Sequence, residues 1–224
     1  MHGERVRAVS FNIHHGQGRD GRVDLERIAR LIRSLAPELV ALQELDVGLE
    51  RSGGVDQPAE LSKLLEMEVA FMRAIELDGG GYGIGIATHD DLPWAGEALP
   101  RRAREEPRVA ITARWRGISV VTSHLSRDRA ARALQTRHLA TVATELEPPV
   151  LVIGDLNQPA RDLTPLRDAG LRSAGVRKPV RWWLGRGFQI DHALATSDLD
   201  FVAARLVPTD VSDHPVLVVD LQRR

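Results

Sequence analysis

Apolar and polar positions along the 224-residue chain predict many short strands and few helices. Short apolar runs rich in valine and isoleucine recur throughout, and such runs are typical of buried strands. About nine strands are expected, at 6–13, 39–42, 84–87, 109–115, 118–122, 150–153, 190–195, 201–207 and 216–221. The dipeptide Arg116-Gly117 between two of them predicts a hairpin.

Three segments have the residue spacing of an amphipathic helix. The first follows Asp24, a good N-cap, and ends before Pro37 because the residue preceding a proline disfavours helix. The others are predicted at 58–66 and at 127–146, the latter with Ser126 as its candidate cap. The positions expected to face inward are Leu25, Ile28, Ile32, Leu35, Leu61, Leu64, Leu65, Leu134, His138, Leu139, Val142 and Leu146.

The order of these elements indicates the fold class. Hairpins mixed with strand–helix–strand steps favour a mixed two-sheet α/β or α+β fold over a purely parallel sheet. The loops at 78–83, 99–107 and 177–187 look too short to separate domains, so a single domain over 1–224 is expected. A hydrophobic content of 43% supports one substantial core.

Composition narrows the classes of function. The chain has no cysteine, which excludes disulfides and thiolate metal sites. No apolar run approaches the roughly 20 residues of a transmembrane helix, and no signal peptide is recognised, so a cytoplasmic location is expected. The formal net charge is −1, whereas proteins that follow long nucleic acids usually carry a basic excess.

Polar residues with useful chemistry follow or open several predicted strands. They are Asn12, Gln43, Glu44, His124, Asp155, Asn157, Asp191, Asp213 and His214. Because strand ends converge at one rim of packed sheets, these side chains are expected to share a cleft. Carboxylate and amide oxygens suit Mg²⁺ or Mn²⁺, and such an ion polarises a phosphoryl oxygen.

The histidines differ in what they suggest. His214, with a carboxylate partner such as Asp191, suits a general base or a group that orients water. His14-His15 is either a transition-metal pair or two loop histidines, and the pair is disfavoured because neighbours in a strand face opposite ways. His192 directly follows Asp191 and is therefore expected to face away from the site.

Six motifs, in order, resemble those of the endonuclease/exonuclease/phosphatase superfamily. They read SFNIHHG, VALQELD, VVTSHL, VIGDLNQP, QIDHALA and VSDHPVL and span nearly the whole chain. The resemblance implies a four-layer α/β/β/α sandwich with the site at one end of the paired sheets. Residues 12–32, followed by 51–65, look closest to small bacterial members that are often described only as hydrolases of this family, and those members lean towards the sphingomyelinase-like branch.

The resemblance also implies roles, with Mg²⁺ or Mn²⁺ as cofactor. The resemblance implies that Glu44 is the principal metal ligand and that three further residues lie near the metal: Asn12, Gln43 and Asp213. Asp155 resembles the carboxylate that positions or deprotonates the attacking water. Asn157 resembles the neighbouring residue that contacts the phosphate or the metal. Their spacing of two would put both on one side of extended backbone. His124 resembles a histidine that binds the scissile phosphate. His214, paired with Asp191, resembles the catalytic histidine.

Substrate contacts are less well marked. The candidates are Arg108, Arg181, Trp182 and Trp183. The tryptophan rings could hold a base or a lipid and the arginines a phosphate, or the rings could simply cover a sheet edge. Relatives often read YGNAILSR where residues 82–89 of this chain read YGIGIATH. Ile84 replaces the asparagine and Thr88-His89 replace the serine and arginine, so the substrate contacts that relatives make there are not expected here.

The first hypothesis is therefore metal-dependent hydrolysis of a phosphodiester or phosphomonoester. The near-neutral charge and short loops favour a small molecule or lipid headgroup as substrate over nucleic acid, with a DNA or RNA nuclease as the alternative. A non-catalytic binding module is the other class, but it predicts missing ligands, and all of them are present. No protein partner is inferred.

Overall fold

The computed structural model describes residues 5–176 and 189–224. Within them the strands are β1 (Arg5–Asn12), β2 (Leu39–Val47), β3 (Glu68–Leu77), β4 (Gly80–Thr88), β5 (Trp94–Ala98), β6 (Val109–Trp115), β7 (Ile118–His124), β8 (Val150–Asp155), β9 (Arg172–Ser173), β10 (Asp191–Ala195), β11 (Leu199–Val207) and β12 (Val216–Arg223). The α-helices are α1 (Leu25–Ser34), α2 (Gln57–Leu65), α3 (Arg129–Glu145) and α4 (Thr164–Asp168). Short 3₁₀ turns lie at His14–Gly16, Glu50–Ser52 and Ala160–Asp162.

The strands form two six-stranded mixed sheets. Their orders are β11-β12-β1-β2-β4-β3 and β5-β6-β7-β8-β10-β9. Each sheet has one parallel pair near its middle, β1 with β2 and β7 with β8, and the other pairs are antiparallel. The connections within the parallel pairs contain α1 and α3, as parallel strands require a crossover.

Three apolar clusters separate four layers. The central cluster lies between the sheets and includes Ala41, Ile153 and Leu217. A second fills the space between the first sheet and helices α1 and α2, and a third lies between the second sheet and helices α3 and α4. The fold is thus a four-layer α/β sandwich, which confirms the prediction.

Alternation along the strands places polar side chains at one end of the space between the sheets. Ala8 on β1 and Ile153 on β8 belong to the central core, and on the same faces Asn12 and Asp155 end their strands. The parallel register sets Asn12 beside Gln43 at the end of the first sheet. The topology therefore brings the last residues of several strands to one rim.

All nine predicted strands are present, and β3, β5 and β9 were missed. These three lie at or next to sheet edges and are largely half-buried or exposed, so they lack the continuous apolar run that marks a buried strand. The predicted loop at 78–83 is wrong beyond the turn at Asp78-Gly79, because β4 begins at Gly80. Glycine is needed in this strand, since a Cβ at Gly83 would lie 2.0 Å from the Met72 carbonyl oxygen.

Helix α3 also differs from its prediction. Its N-cap is Asp128, whose carboxylate accepts a hydrogen bond from the Ala131 amide at 2.8 Å, and Ser126 instead accepts one from the Asp128 amide. Leu134, expected inside, is 38% exposed, because the helix packs through small and polar residues as well as Leu139. The predicted Asp24 cap of α1 is confirmed.

No helix in the described ranges is both long enough and apolar enough to cross a membrane.

The ion pair between Arg7 on β1 and Asp220 on β12 gives a stability prediction. The Arg7 Nε lies 2.6 Å from Asp220 Oδ1, and this contact lowers the pKa of Asp220. Asp220→Asn should therefore lower the free energy of unfolding by about 1 kcal/mol at pH 7. Because a lowered carboxyl pKa stabilises only while the group is ionised, the difference should shrink as pH falls below about 4. Urea unfolding at several pH values measures it, with the exposed Asp91→Asn as control; a pH-independent difference would contradict the assignment.

Candidate active site

A cleft of about 510 Å³ opens at the polar end of the two sheets. Seven predicted site residues line it: Glu44, Arg108, His124, Asp155, Asn157, Asp213 and His214. They come from both sheets: Glu44 lies within β2, His124 and Asp155 end β7 and β8, and the others lie in the segments that flank β6, β8 and β12. The expectation that strand-end residues share one cleft is met for these residues.

Asp155 lies at the centre of the cleft floor, and its side chain is 1% exposed. Its Oδ1 accepts the Asn157 amide at 2.9 Å, and its Oδ2 accepts the Asn12 side-chain amide at 3.2 Å. The same Oδ2 is 3.4 Å from His124 Nε2 and 3.7 Å from His214 Nε2. Burial, reinforced by the nearby charge of Asp191, raises the pKa of Asp155 to about 7, although His214 and the hydrogen bonds oppose the rise.

Asn12 connects carboxylates that belong to different sheets. Its Nδ2 donates to Glu44 Oε1 at 2.9 Å and to Asp155 Oδ2 at 3.2 Å. Its Oδ1 accepts the His14 amide at 3.0 Å, which fixes the carboxamide with its nitrogen towards the two carboxylates. Asn12 was expected near the metal, and its side chain also positions the acidic groups around it.

Glu44 owes its position to a bulge in β2. The pairing of β2 with β4 shifts between Gln43 and Leu45, and Glu44 has a left-handed φ of 62°. Successive side chains of a strand point to opposite faces, and Gln43 points to the inner face between the sheets. In an uninterrupted strand Glu44 would therefore point to the outer face, towards the helices. The bulge gives that buried outer position to Leu45 and leaves Glu44 half-buried at the cleft.

His214 and Asp191 form the predicted pair. The His214 Nδ1 lies 3.2 Å from Asp191 Oδ2, and both side chains are less than a tenth exposed. Burial works against the imidazolium, but Asp191 and Asp155 outweigh it and raise the pKa of His214 to about 10. Ser212 supports the segment, since its hydroxyl donates to the Asn12 carbonyl oxygen at 2.7 Å and accepts the His214 amide.

His124 is held as a neutral ring. Arg108 Nη1 lies 3.0 Å from His124 Nδ1, and because a guanidinium only donates, Nδ1 is the acceptor. The proton is then on Nε2, facing Asp155 Oδ2. Burial and the charge of Arg108 keep the pKa of His124 well below its usual value. Arg108 was predicted to bind substrate, and here it is 5% exposed, with Nη2 also 3.2 Å from Glu106.

Asn157 reaches its place through a turn. Its φ is 51°, so the idea that it shares an extended strand face with Asp155 is wrong. Its backbone amide donates to Asp155 Oδ1, and its Nδ2 donates to the Leu125 carbonyl oxygen at 2.9 Å. The left-handed backbone suits asparagine, which tolerates it better than most residues.

The other predicted residues occupy varied positions. Gln43 is fully buried beneath the cleft, where its Oε1 accepts the Ser10 hydroxyl at 3.3 Å, and it is not among the lining residues. Asp213 lines the cleft with its side chain 46% exposed. His192 bonds to the Gln158 carbonyl oxygen, away from Asp155. Three predicted substrate contacts lie outside the described residues: Arg181, Trp182 and Trp183.

His14 and His15 follow β1 in a 3₁₀ turn, so the argument from opposite strand faces does not apply to them. Both have left-handed φ values, 49° and 44°, and their ring centroids are 4.5 Å apart. One nitrogen from each ring and one carboxylate oxygen of Glu44 lie within 4.8 Å of one another. Burial, with the neighbouring His14, lowers the pKa of His15 to about 4.

The cleft also contains residues that sequence reasoning missed. Tyr82, the only tyrosine of the chain, has its hydroxyl 3.4 Å from His124 Nδ1, and burial raises the pKa of that phenol. Arg51 binds Asp46 through two hydrogen bonds and lies 5.5 Å from the Tyr82 ring centroid. Arg127 is exposed at the rim. Tyr82 falls in the loop predicted at 78–83. Arg51 stands in a polar segment and Arg127 at the start of the helix predicted at 127–146, and no local pattern marks either arginine as a site residue.

The arrangement can perform acid–base chemistry beside a cation. Asp155 is a buried carboxyl whose pKa of about 7 suits transfer of a proton near neutrality. His214 holds a proton next to it, and His124 presents an N–H. Glu44 and Asp213 both line the cleft and offer oxygen donors of the kind that a hard divalent ion requires.

Comparison with known proteins agrees with this picture. Residues 9–214 match the model of the Endonuclease/Exonuclease/phosphatase family. An endonuclease/exonuclease/phosphatase of Beutenbergia cavernae is 21% identical, with a TM-score of 0.77 over 98% of this chain and 72% of that one. A Bacteroides vulgatus protein of the same description is 17% identical, with a TM-score of 0.74 over 99% of this chain and 100% of that one.

A truncated TDP2 from Caenorhabditis elegans also has the fold, at 16% identity and a TM-score of 0.68 over 97% of each chain. No curated protein matches the chain in a sequence search.

The charge on His214 can be tested directly. In Asp191→Asn the main charge that raises the pKa of His214 is lost while burial remains, so that pKa should fall well below 10. NMR titration of the imidazole resonances measures the change, and Asp91→Asn, exposed and away from the cleft, should leave the titration as it is. An unchanged His214 titration in Asp191→Asn would refute the pairing.

Proposed function

Because this chain belongs to the endonuclease/exonuclease/phosphatase family, we propose that it is a divalent-metal-dependent hydrolase of phosphoester bonds. The observation that carries the proposal is the environment of Asp155. A carboxyl buried at the floor of a cleft, with Asn12, His124 and His214 around one of its oxygens, is suited to bind and deprotonate a water.

The side chains divide the work of hydrolysis. Asp155 orients the attacking water and accepts its proton on a carboxylate oxygen. His214, kept protonated by Asp191 and Asp155, donates a hydrogen bond to a phosphoryl oxygen and stabilises the charge that develops there. His124 presents its Nε2 proton to the same region, because Arg108 occupies its other nitrogen.

The donors around Glu44 fit a divalent cation. Glu44 is turned into the cleft by its bulge, Asn12 donates a hydrogen bond to it, and Asp213 lines the same cleft, so Glu44 is the principal ligand in this proposal. The ion, when bound, would polarise the phosphate and offset negative charge. Mg²⁺ and Mn²⁺ are the ions that such oxygen ligands favour.

A compact substrate, a small molecule or a lipid headgroup, is the favoured choice. A cleft of about 510 Å³ is within the usual range for small-molecule sites, and the whole chain has a formal net charge of −1. Its wall carries the apolar side chains of Ile75, Leu77 and Ile190 next to the polar floor, as a substrate with one apolar part and one phosphate would require.

A nuclease is the second candidate. Arg51 and Arg127 line the same cleft and are suited to contact a phosphate backbone. The name of the family, which includes endonucleases and exonucleases, also supports this candidate.

Removing the central groups should abolish turnover. Asp155→Asn and His214→Ala should each lower kcat on bis(p-nitrophenyl) phosphate with Mg²⁺ or Mn²⁺ at least about 100-fold, because each removes a proton-transfer or charge-stabilising group. Glu44→Gln should weaken activation by the ion, and excess chelator should abolish activity. The exposed Glu145→Gln on α3 is the matched control. Full activity in excess chelator would contradict the proposed metal dependence.

Substrate class is tested by comparing polymers with small esters. At the same low enzyme concentration, the rate of hydrolysis of small phosphodiesters or phosphomonoesters should exceed the rate at which supercoiled plasmid is nicked, with both rates expressed per phosphoester bond. Arg127→Ala should have little effect on the small esters, because this side chain is exposed at the rim of the cleft, whereas Asp155 is buried. Efficient plasmid nicking that Arg127→Ala weakens would instead establish the nuclease.

A further inference from the structure

The turn after β1 brings two imidazoles next to the carboxylate of Glu44. One nitrogen of His14, one of His15 and one oxygen of Glu44 all lie within 4.8 Å of one another. We propose that both histidines bind the cation at Glu44, so that the site selects a transition metal such as Mn²⁺, Co²⁺ or Zn²⁺ over Mg²⁺. Because it shares Glu44 with the hydrolytic site, this inference rests in part on the proposed function.

His15 has a ring nitrogen that needs a partner. The side chain is 9% exposed, and its Nδ1 makes no hydrogen bond to any residue of the described ranges. A buried polar atom without a partner is costly, and most such atoms in proteins are paired. Coordination by a metal ion would satisfy a nitrogen of this kind without a further protein group.

His14 has the arrangement of a metal-binding histidine. Its Nδ1 lies 3.3 Å from the Gln17 carbonyl oxygen, which can only accept, so Nδ1 carries the proton. The unprotonated nitrogen is then Nε2. Histidines that bind metals commonly donate their other N–H to a backbone carbonyl, which fixes the tautomer and the direction of the ring.

The backbone holds the two rings in place. His14 and His15 both adopt left-handed conformations that are unfavourable for most side chains. Buried contacts maintain them: the His14 amide donates to Asn12, and Gln57 Nε2 donates to the His15 carbonyl oxygen at 2.7 Å. Gln57 in turn accepts the Asp46 amide, two residues after Glu44, so one side chain links the histidine turn to the strand that carries the carboxylate.

The combination of donors determines which ion is preferred. Imidazole nitrogen suits zinc and the neighbouring transition metals, whereas Mg²⁺ prefers carboxylate, phosphate and water oxygens. With metal–nitrogen bonds of about 2.0–2.1 Å, ligand atoms around one ion stand roughly 3–4 Å apart. Donors already within 4.8 Å need only small side-chain rotations to reach that spacing.

The test measures binding without turnover. Full-length protein is titrated with Co²⁺, whose visible absorption responds to nitrogen ligands, and separately with Mg²⁺ by calorimetry. His14→Gln and His15→Gln should each weaken Co²⁺ binding at least about tenfold and leave Mg²⁺ affinity within about twofold. His89→Gln, an exposed histidine that contacts the Glu66 carbonyl oxygen, is the matched control and should change neither.

Pulsed EPR of bound Mn²⁺ gives a second readout. Directly coordinated imidazole produces nitrogen modulation, which is expected in the wild type and the His89→Gln control and should weaken in each turn variant. His14 is half-buried, so its variant carries the smaller risk of misfolding, and circular dichroism verifies both folds. Absence of nitrogen modulation in the wild type, or unaltered Co²⁺ binding in a folded His14→Gln, overturns the proposal. Hydrolysis supported by Mg²⁺ alongside that result would leave the proposed function standing.

Discussion

The site depends on a single carboxamide that serves two acidic groups. Asn12 ends a strand of one sheet and donates to Glu44 of its own sheet and to Asp155 of the other. Buried carboxylates are costly unless they are hydrogen-bonded, and those near one another repel. A neutral donor between them satisfies both without adding charge, and both carboxylates line the cleft.

Around this contact, burial and the nearby charges together set the protonation of each histidine. Asp191 and Asp155 hold a proton on His214, whereas Arg108 keeps His124 neutral, although both histidines are almost fully buried. Burial disfavours both imidazolium ions, so His214 is charged because two carboxylates outweigh burial, and His124 is neutral because Arg108 adds to the effect of burial. One cleft thus contains a charged and a neutral imidazole, which can serve different roles towards the same phosphate.

Much of this could be predicted from sequence because buried strands have a strong pattern. The apolar runs and the Asp24 cap follow from residue spacing, whereas Asp155 and His214 are identified by their positions at strand ends together with the resemblance of their motifs. The edge strands β3 and β5 could not be predicted, because they are half-exposed and have no continuous apolar run. The bulge at Glu44 and the turn at Asn157 could not be predicted either, since left-handed backbone in residues other than glycine depends on long-range contacts that no local pattern records.

The order of strands in the first sheet has a consequence for biosynthesis. The first strand pairs with the last, Val6 opposite Leu221, so its free edge is completed only after the final strand has left the ribosome. His214 enters the cleft with that same strand. A nascent chain therefore carries Glu44 and Asp155 long before His214 emerges, and the cleft is complete only once β12 has joined the sheet.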